Sequence, residues 1–92
     1  MGFYEVNIMW INHKVENGKF FRIYLEGEEN VEKIKITGDF FFYPETGILE
    51  VEKHLIGKKV SEIGKEFDKF IKEKGYEALG FSGKDIDEAI RK

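Results

Sequence analysis

The sequence has no cysteine, a single proline, two histidines and two serines. The absence of thiols excludes a disulfide framework, a thiolate metal site and a cysteine nucleophile. His13 and His54 alone do not complete a histidine zinc site. Ser61 and Ser82 both stand at predicted helix starts, with no histidine near them in the sequence, so a hydrolase triad is not expected. We therefore predict no catalytic residue and no metal site in this chain.

Long apolar runs and an excess of positive charge are missing as well. No stretch approaches the ~18 apolar residues of a membrane span, and the N-terminus lacks the pattern of a signal peptide. The 15 basic and 18 acidic residues give a net charge of −3, without the positive field typical of nucleic-acid binders. We expect a cytoplasmic protein with no membrane or nucleic-acid partner. Its 92 residues suit one domain, 1–92, with a modest core and no deep active site.

The first half of the sequence alternates apolar and polar residues, which predicts strands with one covered face. An Asn17-Gly18 pair between two such runs favours a tight hairpin, because type I′ turns need positive φ at both central positions. The predicted inner faces are Tyr4, Val6, Ile8 and Trp10 in the first strand, Phe21, Ile23 and Leu25 in the second, and Ile34 and Ile36 in the third. The pattern indicates an antiparallel three-stranded meander.

In the second half the apolar period changes to that of helices. Thr46 and Ser61 are predicted N-caps of two helices that end at Gly57 and Gly75. His54 falls in the last turn of the first helix, where an imidazole meets the negative end of the helix dipole.

A third helix has the clearest start signal. Ser82 and Asp85 occupy the two positions of a capping box, and Phe81 and Ile86 those of a hydrophobic staple. Strands followed by helices predict an α+β fold, with an antiparallel three-stranded sheet and helices packed on one of its faces.

The segment between the two halves reads Gly38-Asp39-Phe40-Phe41-Phe42-Tyr43-Pro44. Gly38 and Asp39 suit a turn at a strand end, and we interpret Asp39 as a turn carboxylate rather than a general base. Four consecutive aromatic residues hold more apolar surface than a short connector can hide. Some of it should therefore face a second surface, either the helices of this domain or another protein.

Two further interpretations concern single residues. His13 ends a strand beside the hairpin, and we expect it to be solvated. Phenylalanine and tyrosine on a sheet can stack nucleic-acid bases, but the acidic first half and the lack of interleaved arginine argue against that function.

The stretch Ile34–Phe41, reading IKITGDFF, resembles the strand and Gly-Asp-Phe-Phe signature of the small C-terminal domain of lipoate protein ligases. In some archaea this domain is a separate accessory polypeptide. The resemblance covers nearly all of residues 6–91. Weaker supporting matches are Lys14 with Gly18-Lys19, Ile48–Glu50 with Leu55–Gly57, and Gly80–Ser82 with Asp85-Ile86 and Ala89-Ile90. The Glu16-Asn17-Gly18 turn departs from the family, which usually has a Pro-Gly-Gly type turn there.

The resemblance implies a fold similar to that of iron–sulfur scaffold and sulfur-acceptor proteins. It also implies a non-catalytic accessory subunit that binds a separate lipoate protein ligase catalytic subunit and enables activation of lipoate to lipoyl-AMP for protein lipoylation. ATP, lipoate and Mg²⁺ would belong to the complex, with none bound by this chain alone. The alternative is an interaction module of the same fold that serves another partner. The predicted partner-binding residues are Lys14, Gly38, Asp39, Phe40, Phe41, Phe42 and Tyr43.

Overall fold

Five strands and three helices form the part of the chain that the computed structural model describes, which is residues 8–14 and 20–91. The first strands and the first helix are β1 (Ile8–Lys14), β2 (Phe20–Glu26), β3 (Lys33–Gly38), β4 (Phe41–Tyr43) and α1 (Gly47–Leu55). A 3₁₀ turn (Val60–Glu62) then leads into α2 (Ile63–Lys74), β5 (Glu77–Leu79) and α3 (Gly83–Arg91).

The large sheet has the order β1-β2-β3 with both pairs antiparallel, which confirms the predicted meander. Its register places Ile23 between Ile11 and Ile36. The inner faces of β2 and β3 are buried as predicted, because there only one face of each strand is apolar. The predicted turn at 16–19, and Tyr4 and Val6, lie outside the described residues.

The prediction for β1 is wrong about which face is covered. Trp10 and Ile8 are 65% and 53% exposed, while His13 on the other face is buried and Met9 and Ile11 pack against the core. Both faces of this strand carry apolar residues, so alternation alone does not select one. His13 pairs with Phe21 across β2, and their rings are 5.3 Å apart.

A second, two-stranded sheet is formed by β4 and β5, and the sequence did not predict it. Phe41 pairs with Leu79, and Tyr43 with Glu77, in antiparallel register. The aromatic segment is therefore a strand rather than a connector. Its partner lies between α2 and α3, so the two halves of the chain are joined by hydrogen bonds.

The helices cover one face of the large sheet, with Val51, Leu55, Phe67 and Ile86 buried in one core. Gly75 ends α2 in the left-handed conformation, with φ 72°, as predicted. Thr46 stands at the N-cap position of α1, as predicted, but its side chain forms no cap hydrogen bond within the described segments. The prediction for Ser61 is wrong, because Ser61 lies in the 3₁₀ turn and Glu62 stands at the N-cap position of α2.

The predicted start of α3 is confirmed. The Asp85 carboxylate accepts hydrogen bonds from the Ser82 backbone N–H at 2.8 Å and from the Ser82 hydroxyl at 3.2 Å. Phe81 and Ile86 are both buried, as a hydrophobic staple requires. Among the helices of the described segments, none is both long and apolar enough to cross a membrane.

The first turns of α2 and α3 cross with almost no space between them. A Cβ on Gly64 would lie 2.3 Å from the Gly83 carbonyl oxygen, and a Cβ on Gly83 would lie 2.1 Å from the Gly64 carbonyl oxygen. Each helix start is also capped by the other helix. The Gly64 N–H donates to Asp87 and the Gly83 N–H donates to Asp68, both at 2.9 Å. The two helix starts therefore satisfy each other's free amides.

Candidate partner-binding surfaces

The four consecutive aromatic residues divide between the core and the surface. Phe41 and Tyr43 are each 69% exposed, whereas Phe42 between them is buried. This follows from the strand conformation of β4, in which successive side chains point to opposite faces. Phe40, which precedes the strand, is half-buried and packs on Phe81 with ring centroids 4.5 Å apart. The aromatic segment thus packs partly on the helical half of this domain and partly leaves its rings exposed.

Phe42 belongs to the core. Its ring makes edge contacts with Phe67 and Tyr76, at centroid distances of 6.3 and 6.2 Å. A Cβ at Gly47 would lie 2.6 Å from the Phe42 ring, so the start of α1 also closes over it. The position of Phe42 makes it a structural residue, not one that a partner could reach.

An exposed apolar strip runs along the outer side of the small sheet. It consists of Phe41, Tyr43 and Leu79, and Leu79 is 57% exposed directly opposite Phe41. Glu45 and Glu77 line the same shallow hollow. Large exposed side chains that adjoin each other and are rimmed by charge are typical of a protein-binding surface. We call these three residues the β4–β5 strip.

Gly38 and Asp39 hold the end of β3 against β2. Gly38 has φ 151°, and a Cβ there would lie 2.5 Å from the Phe21 Cα, so only glycine fits without displacement. The Asp39 N–H donates to the Phe20 carbonyl at 2.8 Å while its side chain is exposed. Lys14 is also exposed and pairs with Phe20, so Lys14 and Asp39 lie at the same end of the sheet.

The outer face of the large sheet is not covered by any helix of the described residues. At its centre Trp10 and Tyr24 are cross-strand neighbours with rings 4.6 Å apart. Arg22, Lys33 and Lys35 line the same groove. Sequence reasoning missed this surface because it assigned Trp10 to the core.

His13 is buried, contrary to the expectation that it is solvated. Its exposure is 6%, and its Nδ1 has no hydrogen-bond partner among residues 8–14 and 20–91. One of its ring nitrogens lies within 4.8 Å of carboxylate oxygens of Asp85 and Glu88, which together are the ligand types of a divalent cation. Asp85 already caps α3, and the positive end of the α3 helix dipole disfavours a cation at this position.

Two carboxyl groups with shifted pKa values, Glu52 and Glu66, lie away from both exposed surfaces, whereas Tyr24, whose pKa is raised by its hydrogen bond with Glu26, lies on the outer face of the large sheet. Burial raises the pKa of Glu52, and the hydrogen bond from the Ile36 N–H opposes that shift. The hydrogen bond with His54 lowers the pKa of Glu66, with 3.2 Å between Nε2 and Oε1. His54 lies in the last turn of α1, as predicted. These pairs join secondary-structure elements and do not form an acid–base site.

Comparison with solved structures finds a chain that matches this one along almost its whole length. It comes from the structure of an archaeal lipoylation system, a bipartite lipoate protein ligase and its E2 lipoyl domain from Thermoplasma acidophilum. The match has a TM-score of 0.78 and 25% sequence identity and covers 96% of this chain and 99% of the other. This chain is therefore similar to a protein from a lipoylation system.

The structural match confirms the resemblance to a lipoate ligase accessory domain and the α+β fold class, and it supports a role in lipoylation. Neither the protein-family models nor the curated proteins give a match.

Proposed function

We propose that this protein is the non-catalytic accessory subunit of a two-piece lipoate protein ligase. The observation that carries the proposal is the match over 96% of the chain to a chain from a bipartite lipoate protein ligase system. An exposed apolar strip on an otherwise well-packed small domain supports it, because a subunit that acts only in a complex needs such a surface.

The β4–β5 strip is the surface through which the catalytic subunit would bind. Phe41 and Tyr43 are held by strand pairing with β5, so little side-chain and backbone freedom is lost when a partner covers them. Burying each aromatic ring would contribute about 1.5 to 3 kcal/mol. Glu45 and Glu77 would meet basic groups at the rim. Lys14 and Asp39, at the end of the large sheet, would add polar contacts.

The accessory subunit would act on the activation step. Joining lipoate to ATP with Mg²⁺ requires donors held in place around the phosphates, and loops that are mobile in a free subunit become ordered when a partner packs against them. ATP, lipoate and Mg²⁺ would all be bound by the complex. This protein would hold loops of the catalytic subunit in place and would not supply a reacting group.

The test is lipoate-dependent formation of adenylate by the cognate catalytic subunit, with and without this protein. We expect activity only when both are present. The double variant F41A/Y43A should weaken subunit affinity by at least about tenfold, since ~1.4 kcal/mol corresponds to a factor of ten. Its thermal midpoint should stay close to that of the unchanged protein.

Ile56→Ala is the matched control, because Ile56 is an apolar residue that is 50% exposed at the end of α1, away from the strip. It should leave affinity unchanged. A catalytic subunit that is equally active alone would refute the accessory role. The protein would then be an interaction module for a different partner.

A further inference from the structure

The outer face of the large sheet carries a charge opposite to that of the rest of the protein. Among the described residues, alternation along the strands places four basic residues and one acidic residue on it, for a net charge of +3. The remaining 9 basic and 15 acidic residues of the described segments give −6. The charged residues of the face are Lys14, Arg22, Lys33, Lys35 and Glu26.

An aromatic pair stands at the centre of this basic face. Trp10 is 65% exposed, although tryptophan is the largest side chain that a core could use. It pairs with Tyr24, and Tyr24 in turn pairs with Lys35, so the three form one row across the sheet. Protein interfaces commonly have aromatic residues at their centre and charged residues around them, and the aromatic residues contribute much of the binding energy.

The cations of the face are not neutralised by its one carboxylate. Glu26 accepts a hydrogen bond from the Tyr24 hydroxyl. Within the described parts of the chain neither Lys33 nor Lys35 forms a salt bridge. The Arg22 Nε donates to the Asn12 amide oxygen at 2.9 Å, which leaves the terminal guanidinium nitrogens to meet a partner.

The ring geometry favours a protein partner over a nucleic acid. Base stacking needs a free ring face, but the Trp10 ring contacts the Tyr24 ring at a tilt of 58° and has the Arg22 guanidinium over it, 5.8 Å from the ring centroid. The charge of −6 on the rest of the chain would repel a long polyanion. Carboxylates, which arginine and lysine bind directly, need only the local positive field.

We propose that this face is a second docking surface, which binds a carboxylate-rich region of a folded protein. Its central residues, Trp10, Tyr24 and Lys35, are separate from the β4–β5 strip, and Lys14 at its edge is the one residue assigned to both partners. The proposal does not depend on the identity of the subunit that binds the strip.

Trp10 is the only tryptophan, so its fluorescence reports directly on this face. We would titrate the full chain with a glutamate peptide too short to extend beyond this face and follow the emission. We expect a saturable change that weakens as ionic strength rises from about 0.01 to about 0.15 M, as the Debye length shortens. A parallel titration with oligothymidylate gives the comparison.

The double reversal K33E/K35E changes the face from +3 to −1 and should reduce peptide affinity at least about tenfold. The control K69E/K72E makes the same change in charge at two exposed positions of α2 and should retain binding. If reversal disturbs the fold by circular dichroism, K33Q/K35Q replaces it, with a smaller loss expected.

Several results would overturn the proposal. They are no response to the peptide, tighter binding of oligothymidylate than of the peptide, or an equal loss of affinity in the control. Displacement of the peptide by the cognate catalytic subunit would mean that the face belongs to the ligase interface. The proposed function itself is judged separately, by the adenylate assay and the F41A/Y43A variant.

Discussion

At the scale of single residues, Glu52 is a buried carboxyl group that links α1 to β3. It lies on the inner side of α1 with 9% exposure, and its Oε2 accepts a 2.8 Å hydrogen bond from the Ile36 N–H in β3. Burial raises its pKa, while that hydrogen bond and the charge of Lys35 act in the opposite direction. The net shift is upward because these contacts do not replace the water that the carboxylate has lost.

The raised pKa of Glu52 predicts a particular dependence of stability on pH. The folded state holds the proton more tightly than the unfolded state, so the contribution of Glu52 to stability falls as pH rises from about 4.5 through the raised value. Glu52→Gln cannot titrate. We therefore expect the variant to gain stability relative to the unchanged protein between pH 4 and 7, measured by urea unfolding. A constant difference across that range would contradict the shift.

The same scale shows where sequence reasoning reaches its limit. Ile23 and Ile36 were assigned correctly because each stands between polar or charged neighbours, and Phe21 follows from the same alternation along β2. Trp10 and His13 were assigned to the wrong environments because β1 is apolar on one face and partly apolar on the other. A burial pattern that both faces can satisfy is decided by contacts with other elements, and those are not local in sequence.

At the scale of elements, the crossing of α2 and α3 depends on two glycines. Gly64→Ala would place a methyl group 2.3 Å from the Gly83 carbonyl oxygen, a backbone atom that cannot rotate away, and against the Asp87 carboxylate that caps α2. We expect it to lower the free energy of unfolding by about 1 to 3 kcal/mol, the usual cost of overpacking. Urea unfolding measures the difference, with the exposed neighbour Lys65→Ala as control. A loss no larger than that of the control would contradict the close packing.

Because side chains alternate between buried and exposed in β4, substitutions at neighbouring positions should change stability by very different amounts. Phe42→Ala removes a buried ring from contact with Phe67 and Tyr76 and should cost about 3 to 5 kcal/mol. Phe41→Ala removes an exposed ring and should leave stability nearly unchanged. Thermal unfolding of both variants distinguishes them. Similar losses in the two would show that Phe41 is also structural.

The strand pair containing these residues was not predictable from the sequence. Each strand has three residues, and β5 follows directly on the end of α2. Segments this short give no periodicity, and their pairing joins positions 41 and 79. The start of α3 was predictable because its capping box and staple lie within the six consecutive residues 81–86.

At the scale of the whole molecule, the strand pairing makes the two halves interdependent. A fragment of residues 1–46 would contain β1 to β4 without β5 and without the helices that cover Phe21, Ile23 and Leu25. We expect it to be unfolded in isolation, because a small sheet with one bare apolar face buries too little surface. Far-UV circular dichroism and amide dispersion in NMR spectra test this. A folded fragment would show that β5 and the helices are dispensable.

The general architecture was nonetheless evident from the order of periodicities. Period two in the first half and period 3.6 in the second fix an α+β layer arrangement, and the observed sheet order β1-β2-β3 follows from short connections. The two exposed surfaces were less evident. The run of aromatic residues at Phe41–Tyr43 is visible in the sequence and indicated an exposed surface. Trp10 and Lys35, in contrast, lie on one face only after the sheet has formed.

The reciprocal caps between α2 and α3 should also couple the opening of the two helix starts. Because the Gly64 amide is bound by Asp87 and the Gly83 amide by Asp68, separation of the two helices exposes both amides in a single event. Their hydrogen-exchange rates should therefore be governed by one opening reaction. The first turns of α2 and α3 should therefore open with the same lifetime, and neither turn should fray while the other helix stays packed against it.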